Sequence, residues 1–177
     1  MEQINYDQIS VEEKPFADRL AIFMRDVIRP NMVLDIGCGP GHFVYSMRDV
    51  GVNSFGIDID DRIRGKQHLI CENILFSKMV SDVAICLEVL EHIPEEDSDE
   101  VVDQICTMFL DTLIFTAAQP GQGGVGHINC QPKDYWLKKF LRNGIRRNTL
   151  MEDTLKHYCQ QGRYMGWFYN NLLVFSK

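Results

Sequence analysis

The chain has no apolar run approaching the ~20 residues that a helix needs to cross a bilayer, so no membrane span is expected. It has no excess of basic residues either. Lys and Arg number 18 against 25 Asp and Glu, for a net charge of −7. Non-specific nucleic-acid binding needs a basic footprint, so a nucleic-acid partner is not expected. The six cysteines, at positions 38, 71, 86, 106, 130 and 159, include no CxxC pair. Several sit in apolar runs, which reads as buried thiols in a reducing compartment rather than a zinc site or a disulfide frame. Met1 to Val11 is polar and acidic, unlike a signal peptide. A cytoplasmic location is the expectation. Repeats, low-complexity tracts and linkers are also missing. The 177 residues are therefore expected to form one domain, 1–30 as an N-terminal helical segment and 31–177 as an α/β core without a cap domain.

What is present is an alternation of helical and strand patterns. Phe16, Leu20, Phe23, Met24, Val27 and Ile28 follow helical spacing, with Ser10 and Glu13 as a capping box, Pro15 near the helix start and Pro30 after its end. Strands are expected at Val33–Ile36, Val52–Asp58, His68–Cys71, Asp82–Leu87, Thr112–Ala117 and Leu172–Phe175, with a further short one within 145–150. Helices are expected after Gly41 up to Gly51, over Ser98–Leu110, and over 132–142 and 152–161. This order implies a Rossmann-like, doubly wound, mostly parallel sheet. Ligands in such sheets sit beyond the strand C-termini, at the topological switch point. Gly37–Gly41, Asp58, Leu87–His92 and Ala117–Asn129 all fall at such ends.

The first of these ends is the most informative. Val33–Ile36 runs into Gly37-Cys38-Gly39-Pro40-Gly41, with Asp35 just before the first glycine. Alternate glycines let the backbone turn tightly and bring its amides close to a nucleotide-like ligand. No GxxxxGK[ST] string occurs, which excludes a P-loop. The dinucleotide pattern GxGxxG fails by one residue, because His42 stands where its third glycine belongs.

The string VLDIGCGPGHF resembles the first motif of the class I S-adenosylmethionine (SAM)-dependent methyltransferases. FGIDID resembles their second motif. DVAICLEVLEHIP resembles the fourth-strand motif of their small-molecule branch, to which the ubiquinone-biosynthesis O-methyltransferases belong. The likeness spans residues 30–118. It implies SAM as methyl donor and S-adenosylhomocysteine as product. It places Asp35, Gly37, Cys38, Gly39 and Gly41 under the amino-acid end of SAM, and Asp58, beside Ile59, on the ribose hydroxyls. Asp60 and Asp61 are competing neighbours. The family often has an Asp after the third strand to meet adenine. Here Glu72 and Asn73 are the two alternatives. Leu87 and Glu88 border the methionine end.

Methyl transfer to a hydroxyl also needs a proton removed, which a histidine can accept. Two histidines qualify. His92, in Glu91-His92-Ile93-Pro94, resembles a position used as a base in some sugar O-methyltransferases. His127 ends a second glycine-rich stretch, Gly121 to His127, whose glycines are expected to allow close approach of an acceptor. Gln122 and Asn129 supply further polar groups there. Similar strings occur in methyltransferase-like proteins of glycan synthesis and of viruses. Glu88, Glu91 and His92 match no recognised metal-ligand spacing, so no metal is expected. The expected activity is transfer to a small-molecule or glycan acceptor. The rivals are a nucleic-acid or protein methyltransferase, and a non-catalytic SAM-binding partner subunit. Three coverings of the acceptor site are compatible with so short a chain. They are an open site, a lid made from the N-terminal helix and loop 119–131, or a second subunit, as in a homodimer.

Overall fold

The computed structural model describes residues 6–160 and 165–177, with side chains from Glu13 onward. Its elements are α1 (Tyr6–Phe23), β1 (Val33–Ile36), α2 (His42–Asp49), β2 (Ser54–Asp58), β3 (Leu69–Cys71), β4 (Ser81–Leu87), α3 (Ser98–Thr107), β5 (Phe109–Thr116), α4 (Lys133–Arg142), β6 (Arg146–Arg147), α5 (Thr149–Gln160), α6 (Gly166–Asn171) and β7 (Leu173–Ser176). The sheet order is β3-β2-β1-β4-β5-β7-β6. The first five strands pair in parallel, and β7 runs antiparallel to β5 and β6. The chain order reverses between β1 and β4, so a crevice opens beyond their C-terminal ends.

Two apolar layers sandwich the sheet. One, on the α3 and α4 side, holds Leu34, Ile36, Ala84, Phe115, Trp136 and Phe140. The other, against α1, α5 and α6, holds Phe16, Leu20, Val33, Ile85, Leu155 and Phe168. Both faces are covered, which is why β4 reads as an almost continuous apolar run. No helix among the described residues is long and apolar enough to cross a membrane.

Several boundaries differ from those expected. Helix α1 already begins at Tyr6, so Ser10 and Pro15 lie inside it rather than at its start, and the side chain of Ser10 lies outside the described ones. Glu13 accepts from His42 Nε2 at 3.0 Å. The same helix ends in a five-residue π turn, Met24–Ile28, closed by Arg29 in the left-handed region (φ 58), one residue before Pro30. Strand β2 starts at Ser54 rather than Val52, because the Val52 amide closes the α2 turn on the Met47 carbonyl. Phe109 opens β5 instead of continuing α3. A bulge at Ser81/Val83 brings it into register with Ser81. The strand sought in 145–150 is only Arg146–Arg147, with α5 following from Thr149. Helix α6 was not anticipated. Acidic residues of α3 and basic residues of α4 face each other. Asp99 pairs with Lys139 and Arg142, and Asp103 with Arg142.

Candidate active site

A cavity of about 820 Å³ opens beyond the ends of β1, β2 and β4. Asp35, Gly37, Cys38, Gly39, Asp58, Ile59, Asn73, Leu87 and Glu88 all line it, and so do His92 and His127. Two of the expected cofactor residues do not. Gly41 (φ +91) is the N-cap of α2, where a Cβ would come within 2.7 Å of Leu69. Glycine there lets the helix start against that side chain. Glu72 is likewise not among the lining residues. Its amide donates to the Asp58 carbonyl, which leaves Asn73 at the wall.

The glycine loop is held from three sides. Gly37 and Cys38 donate their amides to the Ile57 carbonyl at 2.9 and 3.0 Å. The Gly39 amide donates to Asp58 Oδ2 at 2.7 Å, while Oδ1 of the same carboxylate accepts from the Asp60 amide at 2.9 Å. Gly37 stands at φ +75, and a Cβ there would lie 2.4 Å from Val89. The loop thus passes so close to the β4 end that only glycine fits. The competing acids are occupied elsewhere, Asp60 with Arg62 and Asp61 with Arg64.

Asp35 is 2% exposed, and its Oδ2 has no hydrogen-bond partner among the described residues. Burial, then the nearby Asp58 and Glu13 carboxylates, push its carboxyl well above the usual range. A buried acid in that state favours a cationic ligand. Cys38 is also buried, and its thiol is pushed up strongly by burial, which makes it a wall residue rather than a nucleophile.

At the opposite end the structure brings His92 and His127 together, with ring centroids 5.0 Å apart. Behind them lies Glu91, which is not itself among the lining residues. Glu91 is fully buried, and one of its carboxylate oxygens lies 3.9 Å from His127 Nε2. The second glycine-rich loop is stapled to it, since the Ile128 and Asn129 amides both donate to the Glu91 carbonyl at 2.9 Å. Burial, with the adjacent Glu88 carboxylate, raises the Glu91 carboxyl above its ordinary range. Half-burial lowers the His92 pKa from its usual value, against the pull of its bond to the Gly126 carbonyl. Two of the loop's glycines lie against the histidines. The His127 ring fills the space that a Cβ on Gly124 would need, at 2.2 Å from Nε2, and the Gly126 carbonyl receives His92 Nδ1 at 3.0 Å. Gln122, expected to face the acceptor, is committed to the scaffold. It donates to Glu88 Oε2 at 2.8 Å, and Asn171 of α6 donates to Glu88 Oε1 at 2.9 Å. Glu13 of α1 and Trp167 of α6 complete the cavity wall. The N-terminal helix and the 119–131 loop thus both border the site.

A glycine loop after β1, an acid at the end of β2 and a reacting end beyond β4, on this strand order, define a class I SAM-dependent methyltransferase. The chain belongs to the methyltransferase domain family, whose model matches residues 11–161. It is 33% identical over 91 residues to the ubiquinone biosynthesis O-methyltransferase of Paraburkholderia phymatum, an alignment that covers 43% of this chain and only 38% of that enzyme. Among solved structures it is similar to the SAM-bound magnesium protoporphyrin IX methyltransferase of Synechocystis (TM-score 0.67, 18% identity, 100% of this chain and 86% of that one). It is also similar to the 1,6-didemethyltoxoflavin-N1-methyltransferase of Burkholderia thailandensis (TM-score 0.62, 13% identity, 97% and 83%). These two likenesses establish the fold.

Proposed function

We propose that this chain moves the sulfonium methyl of SAM to a hydroxyl of a small-molecule or glycan acceptor. The observation that carries the reading is one continuous cavity. It runs from the Gly37–Gly39 loop, Asp58 and Asn73 at one end to His92 and His127 at the other. In this reading Asp58 holds the ribose diol, and Asn73 with Ile74 and Leu75 flanks the adenine. Asp35 faces the ammonium end, and Leu87 and Glu88 border the methionine chain. Transfer is an in-line displacement with a neutral leaving group. The protein therefore chiefly aligns donor and acceptor and keeps water out. Removal of the hydroxyl proton depends on the His92 and His127 end. The ubiquinone O-methyltransferase likeness favours an oxygen acceptor, and the toxoflavin enzyme shows that the fold also serves nitrogen.

The test is methyl transfer from radiolabelled SAM to panels of phenols, sugar nucleotides and RNA. Label in a phenol or sugar hydroxyl supports the reading. Label only in RNA or protein, or tight SAM binding with no transfer to any panel, overturns it.

Asp35 makes the donor half of this reading testable on its own. The ammonium of SAM stabilises the Asp35 carboxylate, so binding drives off the proton that the buried acid otherwise keeps. The sign follows from the raised pKa: SAM affinity rises with pH until the free protein's Asp35 ionises, and binding releases protons. Asp35→Asn is expected to bind more weakly and without that pH dependence. Calorimetry in two buffers of different ionisation enthalpy measures the proton count, and proton uptake by the wild-type protein would contradict the assignment.

A further inference from the structure

We propose that Glu91, His92 and His127 form a site for one divalent transition-metal ion at the acceptor end of the cavity. One nitrogen from each ring and one Glu91 oxygen lie within 4.8 Å of one another. The hydrogen bonds around them fix which atoms are free. His92 Nδ1 is 3.0 Å from the Gly126 carbonyl, and His127 Nδ1 is 3.3 Å from the Gln122 carbonyl. A carbonyl can only accept, so both Nδ1 atoms carry the proton and both Nε2 atoms present lone pairs. Metal-binding histidines are held in this way, with the second ring nitrogen donating to a carbonyl or carboxylate.

Glu91 supplies the third donor. Its Oε1 accepts from the Ala118 amide at 3.2 Å, and its Oε2 has no hydrogen-bond partner among the described residues although the side chain is fully buried. The 3.9 Å between Glu91 Oε1 and His127 Nε2 is too long for a hydrogen bond. Two imidazole nitrogens and one Glu91 oxygen thus lie together at this end of the molecule. A cation among the three stabilises the Glu91 carboxylate, and its binding displaces the proton that the buried carboxyl otherwise keeps.

The donor set selects the ion. Two imidazoles and one carboxylate suit zinc, manganese, iron or cobalt, whereas magnesium and calcium prefer oxygen ligands. Donors sharing an ion at about 2.1 Å stand at most about 4.2 Å apart. The donors lie within 4.8 Å of one another, and Glu91 Oε1 and His127 Nε2, at 3.9 Å, are already close enough to share an ion. Three protein ligands leave a position open for the acceptor.

The catalytic use of this site rests on the hydroxyl reading given above, but the binding of the ion does not. An acceptor hydroxyl on the ion loses its proton to solvent water, as metal-bound hydroxyls do near neutral pH. The resulting alkoxide attacks the SAM methyl carbon. An O–C bond forms, the S–C bond breaks, and sulfur keeps the electron pair as neutral S-adenosylhomocysteine. His92 and His127 act here as ligands, and the proton leaves from the acceptor oxygen.

The experiment is titration of the chelator-treated full chain with Co²⁺, Zn²⁺, Mn²⁺ and Mg²⁺, read by calorimetry and by the visible absorption of Co²⁺. The expected result is one Co²⁺ or Zn²⁺ per chain, with affinity falling on the order of 100-fold in Glu91→Gln, His92→Ala and His127→Ala. His157→Ala, at an exposed position on α5, should bind as wild type. SAM binding in each variant reports that the fold is intact. Three outcomes overturn the proposal: no bound ion, binding by Mg²⁺ alone, or ion affinity unchanged in all three ligand variants. Full methylation of a hydroxyl by the metal-free protein removes the ion while leaving the proposed function standing. A bound ion with no transfer to any hydroxyl does the reverse.

Discussion

Asp58→Ala is expected to bind SAM on the order of 100- to 1,000-fold more weakly than the wild-type chain. Two losses combine in this variant. The first is the ribose contact, since a hydrogen bond to a charged group contributes about 1.5–3 kcal/mol and a diol offers two. At about 1.4 kcal/mol per factor of ten, that alone reaches the expected range. The second is the loop itself. Asp58 Oδ2 takes the Gly39 amide at 2.7 Å and Oδ1 takes the Asp60 amide at 2.9 Å. Without the carboxylate, the middle glycine of the loop loses its anchor to β2. Asp58→Asn keeps an acceptor for one of those amides and should fall between the two. Asp60→Ala removes only an acid that is already paired with Arg62, and it should bind SAM within about threefold of wild type, as surface changes usually do. Calorimetric titration with SAM and S-adenosylhomocysteine decides the matter. Unchanged binding in Asp58→Ala would sink the assignment of the ribose site.

The donor half of this molecule was legible because its signals are local. Val33–Ile36, the glycines after it and Asp58 are neighbours in sequence and remain neighbours in the fold. What stayed hidden depends on distant partners. Glu91 reads as one acid in an acidic neighbourhood. Only the parallel pairing of β4 with β5, and the return of residues 128 and 129 onto its carbonyl, bury it beside two histidines. Glu72 and Asn73 are equivalent as text. The wall is chosen by which side chain the turn after β3 directs into the cavity. Phe109 suits an apolar helical face as well as a strand, and the Ser81 register assigns it to the strand. Helix α6 spans six residues from Gly166 and has no side-chain cap, so nothing local announces it. It nevertheless supplies Trp167 to the cavity and Asn171 to Glu88. The acids of α3 and the bases of α4 pair across about 40 residues of chain, a separation that no local pattern reveals.

Gly124→Ala is expected to lower methyl transfer by 100-fold or more while Gly123→Ala leaves it near the wild-type rate. These neighbours share a loop, a composition and an allowed backbone. They differ in what a methyl group would meet. At Gly123 a Cβ meets nothing within 4 Å, whereas at Gly124 it falls 2.2 Å from Nε2, 2.3 Å from Cε1 and 2.6 Å from Cδ2 of His127. No real contact is that short, so the ring has to leave its place. The change is confined to the loop, because Gly124 lies in an exposed segment away from both apolar layers. Stability should therefore move by no more than about 0.5 kcal/mol, and SAM affinity should hold. Loss of a positioned group on which the acceptor's deprotonation depends, as base or as ligand, is expected to lower the rate by about 10²–10⁴, which sets the size of the effect. Single-turnover transfer to an acceptor found in the panels measures it, with SAM binding as the control. If the two alanine variants react equally fast, the position of the His127 ring is irrelevant to the reaction. A loss in Gly124→Ala alone ties the chemistry to that one imidazole and explains the glycine at position 124.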